Sequence, residues 1–186
     1  MDKKTLSGAT IIGSGNNRNP FDFYPTPKEV TFALLEHIDW PSTFSIWEPA
    51  CGQNDMVDVL ATRFDEVIGT DIQTGDDFLT SGMKNVDACI TNPPFTESVA
   101  FIERAIDYEY AAILLKSTYW HSSRRTNLFY RRRPSKILCL NWRPQFDKRI
   151  VKSSPTMDFI WTVWEPDNKT TEYIVCNKPK VDEEKQ

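Results

Sequence analysis

The residues best suited to shared chemistry lie in four short segments. The most distinctive is Asn92-Pro93-Pro94-Phe95. An Asn-Pro-Pro-aromatic run arises by chance about once in a thousand chains of this length at average residue usage. Two consecutive prolines also favour a rigid turn, which is the plain structural reading. A second segment runs Trp47-Glu48-Pro49-Ala50-Cys51-Gly52, where Gly52 lets the backbone approach a ligand closely. A third is Gly69-Thr70-Asp71-Ile72; Asp71 follows Gly52 at about the 20-residue spacing at which an acid meets a ribose hydroxyl pair. The fourth, Asp76-Asp77-Phe78-Leu79, pairs an acid able to accept from an adenine amine with an aromatic able to cover its ring. Each of the last three is weak alone, since a glycine usually just turns the chain and an aspartate usually caps a turn. In this order, upstream of the Asn-Pro-Pro-Phe run, they describe a nucleotide-like site.

Such segments work only if strands end at them. TFSIWEP (43–49), EVIGTD (66–71) and VDACITN (86–92) read as strands, and ligands of open α/β sheets sit at the carboxyl ends of strands. YAAILLK (110–116) reads as a buried strand and KILCLNW (136–142) as another. Helices are expected over 27–38, opened by Pro27 with Thr26 as N-cap, over 53–63, and over 96–108 with Val99, Ile102 and Ile106 on one side. The segments DFIWTVWEP, DNKT and TEYIVC read as an antiparallel hairpin with Asp167-Asn168 in its turn. Trp161 and Trp164 then fall on opposite faces, one in the core and one capping an edge. The expected fold is α/β: a doubly wound, mostly parallel, Rossmann-like sheet with a C-terminal antiparallel hairpin. Residues 1–19 read as a flexible N-terminal arm, 20–177 as a single domain and 178–186 as a polar tail.

Composition is that of an ordinary soluble domain: 186 residues, 40% hydrophobic and 26% charged. No apolar run nears the roughly 18 residues that span a bilayer, and no hydrophobic signal segment opens the chain, so a cytoplasmic setting without membrane contact is expected. Cys51, Cys89, Cys139 and Cys176 are scattered singly, which points to free thiols rather than a metal site. His37 reads as helix surface and His121 as a loop residue. The net charge of −4 hides an asymmetry: between Lys116 and Lys152 basic residues crowd the chain, and Asp147 is the only acid. A basic block on an acidic protein is either a solvated face or a surface for a polyanion.

The order EPACG (48–52), TD (70–71), DDFL (76–79) and NPPF (92–95) resembles the S-adenosylmethionine-dependent amino-methyltransferases. The nearer likeness is to the small adenine-N6-specific DNA methyltransferases of phages and prophages. It extends to Asp22-Phe23-Tyr24-Pro25-Thr26-Pro27, to Asn141-Trp142-Arg143-Pro144-Gln145-Phe146 and to Trp161 and Trp164, spanning residues 21–177. The resemblance implies that Tyr24, Pro25 and Thr26 border the methionine part of S-adenosylmethionine. Glu48, Ala50 and Gly52 would line its central pocket. Asp71 would hold the ribose hydroxyls, with Asp77 accepting from the cofactor adenine and Phe78 beside its ring. Asn92 and the Pro93 carbonyl would accept from the target amine, Pro94 would stiffen the loop, and Phe95 would stack on the target base. An aromatic amine is a poor nucleophile because its lone pair is delocalised; two acceptors out of the ring plane favour a pyramidal nitrogen. The sulfonium activates the methyl, so no metal is needed. A base in a duplex must first leave the stack.

One departure stands in the first loop, where the second glycine of a Gly-x-Gly pattern is Asn54, the non-glycine residue that best tolerates positive φ. The basic residues Arg124, Arg125, Arg131, Arg132 and Arg133 follow the buried strand at 110–116. They are expected near the rim that carries NPPF, as phosphate contacts to DNA, with sequence readout from loops 117–135 and 143–157. Trp142 or Phe146 could stack on a flipped base, with at least one of them in the core. The expected activity is site-specific DNA adenine-N6 methylation, in the host cytoplasm if the gene is a phage's. The alternatives are methylation of RNA adenine or a protein glutamine, or a nucleic-acid-binding module that kept the fold and lost turnover.

Overall fold

The computed structural model describes residues 25–146 and 155–181. In chain order the elements are α1 (Lys28–Leu35), β1 (Ser45–Glu48), α2 (Asp55–Leu60), β2 (Glu66–Gly69), β3 (Ala88–Thr91), α3 (Ser98–Ala105), β4 (Tyr110–Lys116), α4 (Thr126–Arg131), β5 (Lys136–Leu140), β6 (Phe159–Trp164) and β7 (Glu172–Cys176). Short 3-10 turns at Ile72–Thr74 and Ser123–Arg125 interrupt the loops. One seven-stranded sheet has the order β2-β1-β3-β4-β6-β5-β7. β6 alone is reversed; it pairs antiparallel with β4 and β5, and every other pairing is parallel.

The sheet is covered on both faces. Val30 and Leu34 of α1 and Met56 and Leu60 of α2 pack with Ile46, Ile90, Leu114 and Trp161 on one side. Phe101 and Ile102 of α3 and Leu128 of α4 pack with Trp47, Ile113, Leu115 and Trp164 on the other. This is the doubly wound arrangement expected from strand–helix alternation. Strands buried on both faces need continuous apolar sequence, as β4 (YAAILLK) and β6 (FIWTVW) have.

That same property corrects the hairpin. β6 and β7 run in opposite directions but do not pair, because β5 lies between them and pairs with both. All six β6 side chains are buried, so β6 requires neighbours on both sides and sits inside the sheet. β7 (EYIVC) exposes Tyr173 and Val175 and takes the edge. The turn still falls at Asp167, whose φ of 57° is left-handed. Trp161 and Trp164 do occupy opposite faces, but neither caps an edge: both are fully buried, and their indole N–H groups donate to the carbonyls of Val30 and Arg132.

Smaller corrections concern the helices. Val99 is exposed, and α3 buries Ser98, Phe101, Ile102 and Ala105 instead. Pro27 occupies the N-cap of α1, and no side chain caps it; the Thr26 hydroxyl is engaged elsewhere. His37 is half-buried, with its ring 2.8 Å from the Ala33 carbonyl and 3.6 Å from Cys176 Sγ. All four cysteines are free. Among the described residues, no helix is long and apolar enough to cross a membrane, and no cluster of His, Cys, Asp or Glu is arranged to hold a metal ion.

Candidate active site

The carboxyl ends of β1, β2 and β3 open into one cleft of ≈ 320 Å³. Every described residue that the sequence assigned to cofactor or catalysis lines it: Pro25, Thr26, Glu48, Ala50, Gly52, Asp71, Asp77, Phe78, Asn92, Pro93, Pro94 and Phe95. Tyr24 lies outside the described residues.

The loop after β1 is shaped by two left-handed residues, Gly52 (φ 51°) and Asn54 (φ 68°). Asparagine is among the few non-glycine residues that adopt this conformation readily, so the turn survives without a second glycine. β2 must approach this loop closely. A Cβ on Gly69 would meet Val57 Cγ2 at 2.9 Å and Asn54 Oδ1 at 3.1 Å, so Asn54 fills the space that Gly69 leaves. The backbone N–H of Gly52 donates to Asp71 Oδ2 at 3.0 Å, and that of Gln73 donates to Oδ1 at 2.8 Å. One bond to each oxygen fixes the carboxylate, and an ionised carboxylate can accept about four in all. Next to it, Ile72 is 61% exposed on the cleft wall, an apolar surface that a ligand would cover.

Asp77 is held in the same way. Its Oδ1 accepts from the Leu79 N–H at 3.0 Å and its Oδ2 from the Thr80 hydroxyl at 2.9 Å. Phe78 is 1% exposed, packed edge-on against Trp47 with centroids 5.0 Å apart, so it forms cleft floor rather than a freely stacking ring. Arg104 lies over Phe78 and donates to the carbonyls of Leu79 and Ser81, which staples this loop to α3.

Glu48 is 1% exposed. Its Oε1 accepts from the Thr91 hydroxyl at 2.6 Å and from the Ala50 N–H at 3.0 Å. Burial, reinforced by the nearby Asp71, pushes its carboxyl up to about 8 despite those two donors. Burial likewise pushes the Cys51 thiol up to about 11, so it is no nucleophile at neutral pH. Among the described residues five acids line the cleft, Glu48, Asp55, Asp71, Asp77 and Glu97, and no lysine or arginine does. The four acids besides Glu48, which keeps its proton at neutral pH, favour a ligand that carries positive charge.

At the other end of the cleft, Asn92 Nδ2 donates to Thr26 Oγ1 at 3.0 Å. Pro93 and Pro94 have no N–H, so their turn offers acceptors only. The Phe95 ring lies 4.1 Å below Lys116 Nζ and 6.2 Å from the Phe159 ring. Phe159 packs on Phe146, which is buried, whereas Trp142 is only partly so. Thr91 and Glu97 were given no role in the sequence, and Ile72 appeared only as the residue after Asp71; Thr91 had a local signal as the last residue of the strand before Asn92.

The basic block divides. The 3-10 turn that carries Arg124 and Arg125 follows the carboxyl end of β4, and Arg125 covers the Tyr119 ring and donates to its carbonyl. Arg131, Arg132 and Arg133 are not beside NPPF; α4 carries the chain back to the opposite end of the sheet. There Arg132 donates to the carbonyls of Ile106, Tyr108 and Glu109, just before β4 begins. Arg131 donates to the Glu103 carbonyl at 3.0 Å, and Arg133 to that of Lys169 at 3.1 Å. Lys148, Arg149 and Lys152 lie outside the described residues.

No family model matches the chain, and no curated protein matches it. Solved structures do. A Listeria monocytogenes protein provisionally classed as a class I S-adenosylmethionine-dependent methyltransferase matches with a TM-score of 0.57 at 16% identity, over 82% of this chain and 65% of that one. A dimethyladenosine transferase from Plasmodium falciparum matches at 0.58 and 14%, over 76% and 63%. The methyltransferase subunit of a type I restriction-modification system from Streptococcus thermophilus matches at 0.57 and 12%, over 82% and 47%. This chain spans less than two thirds of the length of each. At such identities the likeness is one of architecture, and the architecture of this chain is the Rossmann-like methyltransferase fold.

Proposed function

We propose that this chain transfers a methyl group from S-adenosylmethionine to the N6 amine of adenine in DNA, as the small phage and prophage enzymes it resembles do. The observation that carries the reading is the single cleft in which the NPPF turn faces the acids at the ends of β1 and β2. The cofactor fits the residues present. Asp71 has capacity left for a ribose diol, Ile72 offers an apolar wall for the adenine, and Asp55, Asp71, Asp77 and Glu97 face a ligand with two positive centres. When bound, S-adenosylmethionine supplies a methyl group activated by its sulfonium.

The chain's own contribution is positioning. Asn92 Oδ1 and the Pro93 carbonyl accept the two amine hydrogens, draw the lone pair out of the ring and stabilise the positive charge that develops on nitrogen. Phe95, in contact with Lys116 and Phe159, gives the flipped base an aromatic edge or face to meet. Arg124 and Arg125 supply phosphate contacts near that rim. RNA adenine is the second reading, because no described cleft residue is assigned to the sugar 2′ position. Incubation with methyl-labelled S-adenosylmethionine and unmethylated duplex DNA, then digestion to nucleosides, is expected to put label in N6-methyldeoxyadenosine. Label only in an RNA digest would favour the second reading. No label in either would overturn both.

A further inference from the structure

The Asn92 amide is useful to an amine in one orientation only. Its two ends are nearly isosteric, yet Oδ1 accepts from an incoming N–H and Nδ2 would repel it. Something must hold Nδ2 away from the substrate, and the prolines of the turn have no N–H and no polar side-chain atom with which to do so.

We infer that Thr26 is the positioning residue that fixes the Asn92 amide, taking up Nδ2 and leaving Oδ1 for a substrate amine. This rests on the proposed methyl transfer to an amine. Thr26 Oγ1 accepts from Nδ2 at 3.0 Å across a sequence separation of 66. The hydroxyl is well placed to hold still: Thr26 is 7% exposed, β-branched and confined between Pro25 and Pro27. It lines the cleft but does not cap α1, whose N-cap is Pro27. A second bond holds the backbone just upstream, where Thr91 donates to Glu48 at 2.6 Å. The site is thereby selected for hydrogen-bond donors, that is, for primary amines on planar rings or amides.

Two measurements test this. In protein labelled with 15N-asparagine, the Asn92 side-chain amide signals are expected to move in Thr26→Val and to stay near their wild-type positions in Thr26→Ser. This arm needs no substrate. In single-turnover methylation of duplex DNA at saturating S-adenosylmethionine, Thr26→Val is expected to slow the rate about 10-fold, the size of one hydrogen bond. Thr26→Ser should recover the rate, and Thr26→Val should add nothing on an Asn92→Ala background. The inference falls if the amide signals are unchanged in Thr26→Val. It also falls if that variant keeps its rate, or loses only cofactor affinity. A wild-type protein that methylates no adenine removes the proposed function, and the amide signals then still decide whether Thr26 orients Asn92.

Discussion

The two ends of the sheet carry polar residues of similar kinds and use them in opposite ways. At the carboxyl ends of β1–β3, backbone N–H groups and hydroxyls fix Glu48, Asp71 and Asp77, and Asp71 and Asp77 keep part of their accepting capacity. At the other end, Arg132 spends its guanidinium on three backbone carbonyls, and Arg131 and Arg133 each hold one more. Prepared acceptors are a device for binding, whereas donors spent on backbone carbonyls, as in Arg132, are a device for folding. Substitutions at the first end should therefore change ligand behaviour and spare the fold, and those at the second should do the reverse.

Asp71→Asn probes the binding end. Removing the charge weakens bonds worth about 1.5–3 kcal/mol, so affinity for S-adenosylmethionine should fall about 10- to 100-fold by calorimetry, with little change in melting temperature. An equal loss of stability would mean that Asp71 serves the loop rather than a ligand. Arg132→Met probes the folding end. It strips partners from the carbonyls that precede β4 and should cost about 1–3 kcal/mol in denaturant unfolding. DNA affinity and its salt dependence should not move, because that arginine faces away from the cleft. A smaller salt slope in this variant would restore the whole basic block to the nucleic-acid surface.

Glu48→Gln gives an effect that shows only as a pH dependence, because Glu48 stands where both roles meet. The native carboxyl holds its proton up to about 8, whereas an unfolded glutamate loses it near 4.5. Between those values the folded state binds the extra proton, so Glu48's contribution to stability is present at low pH and is lost as pH rises toward 8. The glutamine variant should show a flatter stability profile over that window, and an unchanged slope would contradict the burial-driven shift.

The legible parts of this chain were local. Strand ends announced by glycine, aspartate and paired prolines fell where they were read, and the cleft joins all four chemical segments. Asn54 adopts the left-handed turn that its residue type permits. What escaped the sequence was pairing at a distance. The turn between them made β6 and β7 read as a hairpin, and nothing local showed that β5 would slip between them. A run of arginines shows charge but not direction: Arg125 lies on Tyr119, after β4, and Arg132 on the carbonyls that precede β4. The Thr26–Asn92 bond joins two motifs that were each visible, through a contact that neither motif encodes.

The most direct test compares wild-type protein with Asn92→Ala in a single turnover on unmethylated duplex DNA at saturating S-adenosylmethionine, with cofactor affinity measured in parallel. The account predicts a rate loss of about 10²- to 10³-fold, as for removal of one preorganised polar group in other active sites, with cofactor affinity unchanged. Equal rates, or a loss that follows weakened cofactor binding, would contradict it.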